Sequence, residues 1–190
     1  MLNIKEKQKK FFSEAKKDFA YKNVMQSPKL EKVVLNVGVG KSSKDKKRME
    51  LINDRLTKIS GQKPAPRKAK KSIAGFKLRE GDVVGYQVTL RGAMMFSFLD
   101  KFVDIALPRT KDFRGLPLNS IDEMGNCTIG IKEHTIFPET SDEELRNIFG
   151  LSITVVTTSQ DREVTTAFLR YLGFPFKKEE VKKKVVKKKK

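Results

Sequence analysis

Cysteine is nearly absent. Cys127 is the sole one in 190 residues, so no internal disulfide can staple the chain, and such usage fits a reducing cytoplasm. Histidine is as scarce: His134 alone would have to serve Cys127 as a base, and one Cys with one His cannot build a structural zinc site. The carboxylates show no calcium-loop spacing, so the expectation is no metal, no cofactor and no catalytic residue. Long apolar runs are missing too, none approaching the ~20 residues that cross a bilayer. The first 22 residues, MLNIKEKQKKFFSEAKKDFAYK, lack the apolar centre of a signal peptide, and Glu6, Glu14 and Asp18 without any Arg argue against a transit peptide. The expected location is the cytoplasm, with no membrane partner. Acid is the last shortage: 23 Asp and Glu face 41 Lys and Arg, a net charge of +18.

That excess is not confined to the end of the chain. Lys177 to Lys190 hold nine Lys and two Glu, so 32 of the 41 basic residues and 21 of the 23 acids lie elsewhere. A basic folded body predicts a polyanionic partner, most often nucleic acid. An apolar fraction of 38% suffices for one core, and residues 1–176 are expected to form one domain followed by a disordered Lys-rich tail at 177–190. The tail is either a solubilising extension or a contact that gains RNA affinity by releasing counterions.

Periodicity places the elements. Residues 3–20 read as an amphipathic helix with Ile4, Phe11, Phe12, Ala15 and Phe19 on one side. Leu30 to Val37 reads as a strand that stops at Gly38 and Gly40. Met49, Ile52, Leu56 and Ile59 mark a helix from Lys44 to Ile59, and Phe96, Leu99, Val103 and Ala106 mark another from Ala93 to Leu107. Strands follow at Val84–Leu90, Cys127–Ile131 and Ile153–Thr158. Asp161 is placed to cap a last helix with Val164, Ala167, Phe168 and Tyr171 buried. The fold class is therefore α+β, an antiparallel sheet with helices packed on one face.

Between the second helix and the second strand lies a long basic loop. From Gly61 to Gly81 it holds seven basic residues against Glu80 alone, and its prolines and glycines exclude a long helix. Phe76 in this loop either stacks on a base or anchors the loop to its own domain. Other motifs fail. Val37-Gly-Val-Gly-Lys-Ser42 follows a strand and precedes a helix, but a nucleotide-binding loop needs Gly at position 35, which is Leu35; the dinucleotide fingerprint needs Gly at position 43, which is Ser43. The acidic turn Glu139, Asp142, Glu143 and Glu144 is a candidate dock for a basic protein. His134 reads as a surface or satisfied strand-end residue rather than a ligand.

Seven segments occur in a telling order: Val34-Leu-Asn-Val-Gly-Val-Gly40, Ile59-Ser-Gly-Gln-Lys-Pro64, Lys68-Ala-Lys-Lys-Ser-Ile-Ala-Gly-Phe-Lys-Leu-Arg-Glu-Gly81, Val88-Thr-Leu-Arg-Gly92, Ala106-Leu-Pro-Arg109, Asp112-Phe-Arg-Gly115 and Ile136-Phe-Pro-Glu139. Together, from about Tyr21 to Phe176, they resemble bacterial large-subunit ribosomal protein five, the family that binds 5S ribosomal RNA. The resemblance implies a non-enzymatic structural constituent of the large subunit that attaches 5S rRNA within the central protuberance, beside 23S rRNA and other proteins of that region. It also implies contact between the basic loop and P-site tRNA, and an intersubunit bridge to small-subunit protein thirteen.

Carried over residue by residue, the family's 5S contacts fall on Asn36, Gly38, Gln62, Lys63, Thr89 and Arg91. The chemistry suits them: amides and hydroxyls reach phosphate, ribose and base edges, Arg91 offers a fork, and Gly38 admits a close backbone approach. The tRNA contacts fall on Lys68, Lys70, Lys71, Ser72, Phe76, Lys77 and Arg79, with Gly75 and Gly81 letting the loop bend. The chain departs from the family pattern at Lys41-Ser42, where an acid is usual, at Cys127, where an aromatic is frequent, and in its Lys-rich extension. Two rival readings make different predictions. A nucleotide-dependent RNA enzyme resting on Gly40-Lys41-Ser42 predicts saturable ATP or GTP binding, and a general RNA chaperone predicts equal affinity for unrelated structured RNAs.

Overall fold

The computed structural model describes residues 3–16, 19, 21–40, 45–141 and 147–177. Five strands, β1 (Leu30–Gly38), β2 (Ala65–Lys68), β3 (Val83–Leu90), β4 (Cys127–Ile131) and β5 (Leu151–Thr157), form one antiparallel sheet in the order β2-β3-β1-β5-β4. Four α-helices accompany it among the described residues: α1 (Ile4–Ala15), α2 (Lys46–Ser60), α3 (Gly92–Lys101) and α4 (Arg162–Leu172). The α+β reading with helices on one face holds. Alternation explains it: Val33, Leu35 and Val37 of β1, Val88 and Leu90 of β3, Leu151, Ile153 and Val155 of β5, and Cys127, Ile129 and Ile131 of β4 all turn into a single core.

Helix ends follow their local chemistry. The Asp45 side chain accepts from Arg48 N at 3.2 Å to start α2, and Gly61, at φ +70, stops it by donating to Thr57 O. Helix α1 is tied to α3 by Ile4 N, which donates to the Asp100 carboxylate at 2.9 Å, and Phe11 meets Phe168 of α4 edge-on at 5.0 Å. Asp161 does occupy the position before α4, but its side chain makes no capping bond.

Several expectations need correction. The stripe expected on α3 and its continuation holds at Leu99, Val103 and Ala106, which are buried, but Phe96 is only half-buried and Met95 and Phe98 take the interior in its place. Past Lys101 the helix widens into a π turn, Phe102–Ala106, with Leu107 N donating to Phe102 O at 2.9 Å, and this turns Phe102, Val103 and Ala106 inward together. On α4 the buried stripe is Thr165, Phe168, Leu169 and Leu172, one residue on from the predicted one. The half-buried Tyr171 instead donates from its hydroxyl to Glu14 at 3.0 Å. His134 is not a surface residue: it is fully buried, stacked on Phe149 at 4.0 Å, with Nδ1 accepting from Phe149 N.

The basic stretch after α2 is not one long loop. It opens as strand β2, an edge strand that pairs with β3 from Ala65↔Gln87 to Lys68↔Val83, and the connection left to β3 is 69–82. Edge placement is what tolerates Pro66, whose missing N–H removes no ladder bond on the unpaired side. Of the tail expected at 177–190, all but Lys177 lies outside the described residues, as do the Lys41-Ser42 pair and the acidic residues 142–144.

Candidate nucleic-acid interface

The helices cover one face of the sheet, and among the described residues the second set of alternating side chains has no protein layer over it. Register assembles these residues into rows. One row runs Ala65, Gln87, Asn36, Ser152, Gly130 across all five strands; the next runs Thr89, Val34, Thr154, Thr128. With strands about 4.8 Å apart, the second row spans about 14 Å from Thr89 to Thr128. A third row sets Arg67, Gly85 and Gly38 side by side. Apart from Val34, the surface is therefore polar and uncharged at its centre, with glycines at Gly38, Gly85 and Gly130.

Its hydrogen-bonding capacity is largely unspent. Thr128 and Thr154 share a hydroxyl contact at 3.1 Å, and Ser152 Oγ donates to Asn36 O at 3.4 Å. The amides of Asn36 and Gln87 and the hydroxyl of Thr89 make no hydrogen bond among the described residues. Amides and hydroxyls held at fixed strand spacing suit ribose hydroxyls, phosphate oxygens and base edges.

Cations stand at the rim. Extending the β2–β3 register backwards puts Lys63 level with Thr89, and the αL turn at Gly61 brings exposed Gln62 and Lys63 to the start of α3, where Met94 lies against Gly61. Arg91 is exposed and pairs with Glu31 at 3.6 Å, Glu31 lying at an irregularity in the β1–β5 pairing between Leu30 and Lys32. The six residues expected to touch 5S rRNA thus divide into two groups. Asn36, Gly38 and Thr89 share the open face, and Gln62, Lys63 and Arg91 sit at one end of it. Sequence reasoning missed Gln87, Ser152, Thr154 and Thr128, which complete the rows. Their signal was the polar phase of β3, β4 and β5, legible only once the register is known.

The connection 69–82 is a twisted hairpin rather than an open loop. Ala69 N donates to Asp82 O at 2.8 Å, Ile73 and Leu78 bridge each other, and a 3₁₀ turn covers Ala74–Phe76. The chain bends at Lys77, φ +53, and at Gly81, φ +90, not at Gly75. Ser72 braces the hairpin, its Oγ accepting from Glu80 N at 3.0 Å. Lys68, Lys70, Lys71, Lys77 and Arg79 are all exposed, as is Phe76 at 73%. Phe76 is no core anchor, but the tip turns back on the domain. Gly75 to Leu78 line a cleft of about 780 Å³ together with Gly38, Gly40, Arg48 and Phe149.

Burial pushes the Cys127 thiol up to about 11, with the Ser120 contact lowering it and Asp122 raising it further, so the sulfur stays protonated near neutral pH. Cys127 faces the core, so it is not a stacking position on the open face. Among the described residues there is no cluster of three or more His, Cys, Asp or Glu able to hold a metal, and no helix is long and apolar enough to cross a membrane.

Comparison with known proteins agrees with this picture. The family described as Ribosomal protein L5 matches residues 23–79, and the model for the C-terminus of the same ribosomal family matches residues 83–176. The chain is 51% identical over 163 residues to the large ribosomal subunit protein uL5 of Wigglesworthia glossinidia brevipalpis, covering 86% of this chain and 92% of that one. It is 49% identical to the uL5 of Acholeplasma laidlawii, covering 85% and 89%, and 47% identical over 178 residues to that of Sulfurimonas denitrificans, covering 94% and 98%. The matches span both family regions and nearly the whole length of these relatives, and the chain belongs to the ribosomal protein L5 family, as a structural, RNA-binding and non-enzymatic component of the ribosome.

Proposed function

We propose that this protein, a structural constituent of the large subunit, holds 5S rRNA on the open face of its sheet and so attaches it within the central protuberance beside 23S rRNA. The observation that carries this reading is the uncovered row of neutral donors and acceptors, Gln87, Asn36 and Ser152, beside Thr89, Thr154 and Thr128, with Lys63 and Arg91 at its end. A neutral centre recognises shape through ribose and base edges, whereas the cationic rim supplies affinity by counterion release. The 69–82 hairpin, with Lys70, Lys71, Phe76, Lys77 and Arg79, reaches P-site tRNA. A bridge to small-subunit protein thirteen completes the role.

Arg91→Ala is expected to weaken 5S binding by roughly 1–3 kcal/mol, toward the lower end because Glu31 already engages the guanidinium. Glu31→Gln is expected to strengthen it. Titration of labelled 5S rRNA measures both, and an unaltered dissociation constant for Arg91→Ala removes that residue from the interface.

Replacing Lys70, Lys71 and Lys77 together by Ala is expected to leave the 5S dissociation constant within about threefold while weakening retention of P-site tRNA by assembled ribosomes. Filter binding of tRNA to reconstituted ribosomes reads the second effect. Collapse of the 5S complex instead would contradict the division of labour between sheet and hairpin.

A further inference from the structure

A second cationic surface lies on the helical side of the molecule. Beside α4 runs a groove of about 940 Å³, walled by Arg162, Thr166 and Arg170 on one side and by the turn Leu118–Ser120 on the other, with Phe176 and Lys177 at its end. Its end is fixed: Leu116 N donates to Pro175 O at 2.7 Å and Lys177 N to Leu116 O at 2.9 Å.

The placement of the two arginines is informative. Arg162 is the first residue of α4, where a cation opposes the helix macrodipole, so helix stability does not account for it. Its Nη2 donates instead across the groove to Leu118 O at 3.0 Å and Asn119 Oδ1 at 3.3 Å, which fixes the guanidinium and leaves other N–H groups to donate. Arg170 stands two turns further on, about 12 Å away, exposed, its guanidinium without a hydrogen bond or ion pair among the described residues. Among the described residues, Glu163 is the one acid along this groove. From Lys177 the sequence runs on with eight more Lys and two Glu.

We propose that this groove binds the phosphate backbone of a second RNA segment, separate from RNA held on the open sheet face. Guanidinium groups fork onto phosphate oxygens, the Thr166 hydroxyl lies between them, and Leu118 and Phe176 offer an apolar floor to ribose. The hydrophobic core separates the groove from Asn36 and Thr89, so one chain holds two RNA segments at once. The inference stands on α4 and does not require that 5S rRNA be the occupant of the sheet.

The test immobilises the biotinylated full-length chain and measures, in separate titrations, a labelled 20-base-pair RNA duplex of arbitrary sequence and labelled 5S rRNA. Arg162→Gln with Arg170→Gln is expected to weaken duplex binding about tenfold and to reduce its salt slope by about one unit per lost phosphate contact, with 5S affinity within twofold. Thermal melting controls for loss of the Leu118–Asn119 contacts, and Arg170→Gln alone, which breaks no described contact, is expected to weaken the duplex several-fold. Unchanged duplex affinity in both variants would overturn the proposal. So would equal loss of both RNAs, which denies a separate site, or a polyglutamate peptide binding as tightly as the duplex. Failure of the sheet reading would show elsewhere, as 5S affinity insensitive to changes on the open face.

Discussion

Thr154→Glu is expected to lower 5S affinity at least about 100-fold while leaving the fold intact. Thr154 sits mid-row on the open face, between Val34 of β1 and Thr128 of β4, and its hydroxyl contacts Thr128 at 3.1 Å. A carboxylate there meets RNA phosphate across a surface from which binding has removed water, and like charges brought together in this way oppose association by several kcal/mol. The folded chain loses little, because the position is partly exposed and strand preference differs among side chains by only ~1 kcal/mol. Fluorescence anisotropy gives the affinity and a thermal melt the stability. Binding that survives at wild-type strength would remove the sheet face from the account.

The second large effect is on stability. Phe137→Ala is expected to cost about 3–5 kcal/mol, a large fraction of the ~5–15 kcal/mol that holds a typical domain together. Phe137 is fully buried between two short 3₁₀ turns, and its ring packs 6.0 Å from Phe98 and 6.3 Å from Phe102, which are themselves stacked at 6.0 Å. The same cluster positions Lys101, whose Nζ bonds Ile59 O at 2.9 Å and Glu139 at 2.6 Å, so truncation loosens the join between α2, α3 and the 138–140 turn. Urea unfolding followed by far-UV circular dichroism measures the change. A midpoint that moves by less than the equivalent of ~1 kcal/mol would mean that the cavity collapses without penalty.

The reasons for these outcomes differ in how visible they are from sequence. Strands β1, β3, β4 and β5 announce themselves by alternation, and α2 by Asp45, Gly61 and the spacing of Ile52, Leu56 and Ile59. Strand β2 does not, because APRK is short and carries Pro66; only the empty side of a sheet edge makes it a strand. The stripe on α4 is displaced because the helix packs against α1, where Phe168 meets Phe11, and Leu169 and Leu172 take the interior in place of Ala167 and Tyr171. Lys77 rather than Gly75 takes the left-handed conformation, which residue type alone does not reveal.

The proposed interface is only partly legible in the sequence for a similar reason. Asn36, Gly38 and Thr89 can be found from resemblance and chemistry, but Gln87, Ser152, Thr154 and Thr128 join them through pairing between residues as far apart as Asn36 and Ser152. Which polar phase of a strand faces solvent is decided by where the helices pack, a property of the whole chain.

The central claim is recognition of a particular folded RNA by a fixed surface, rather than attraction of any polyanion to a basic one. Its most direct test is to titrate the full-length chain with 5S rRNA and with a size-matched, unrelated structured RNA across a series of salt concentrations. The account predicts two nearly parallel lines of log affinity against log salt, offset toward 5S at every concentration, since shape-specific contacts add to a shared counterion term. Superimposed lines would contradict it.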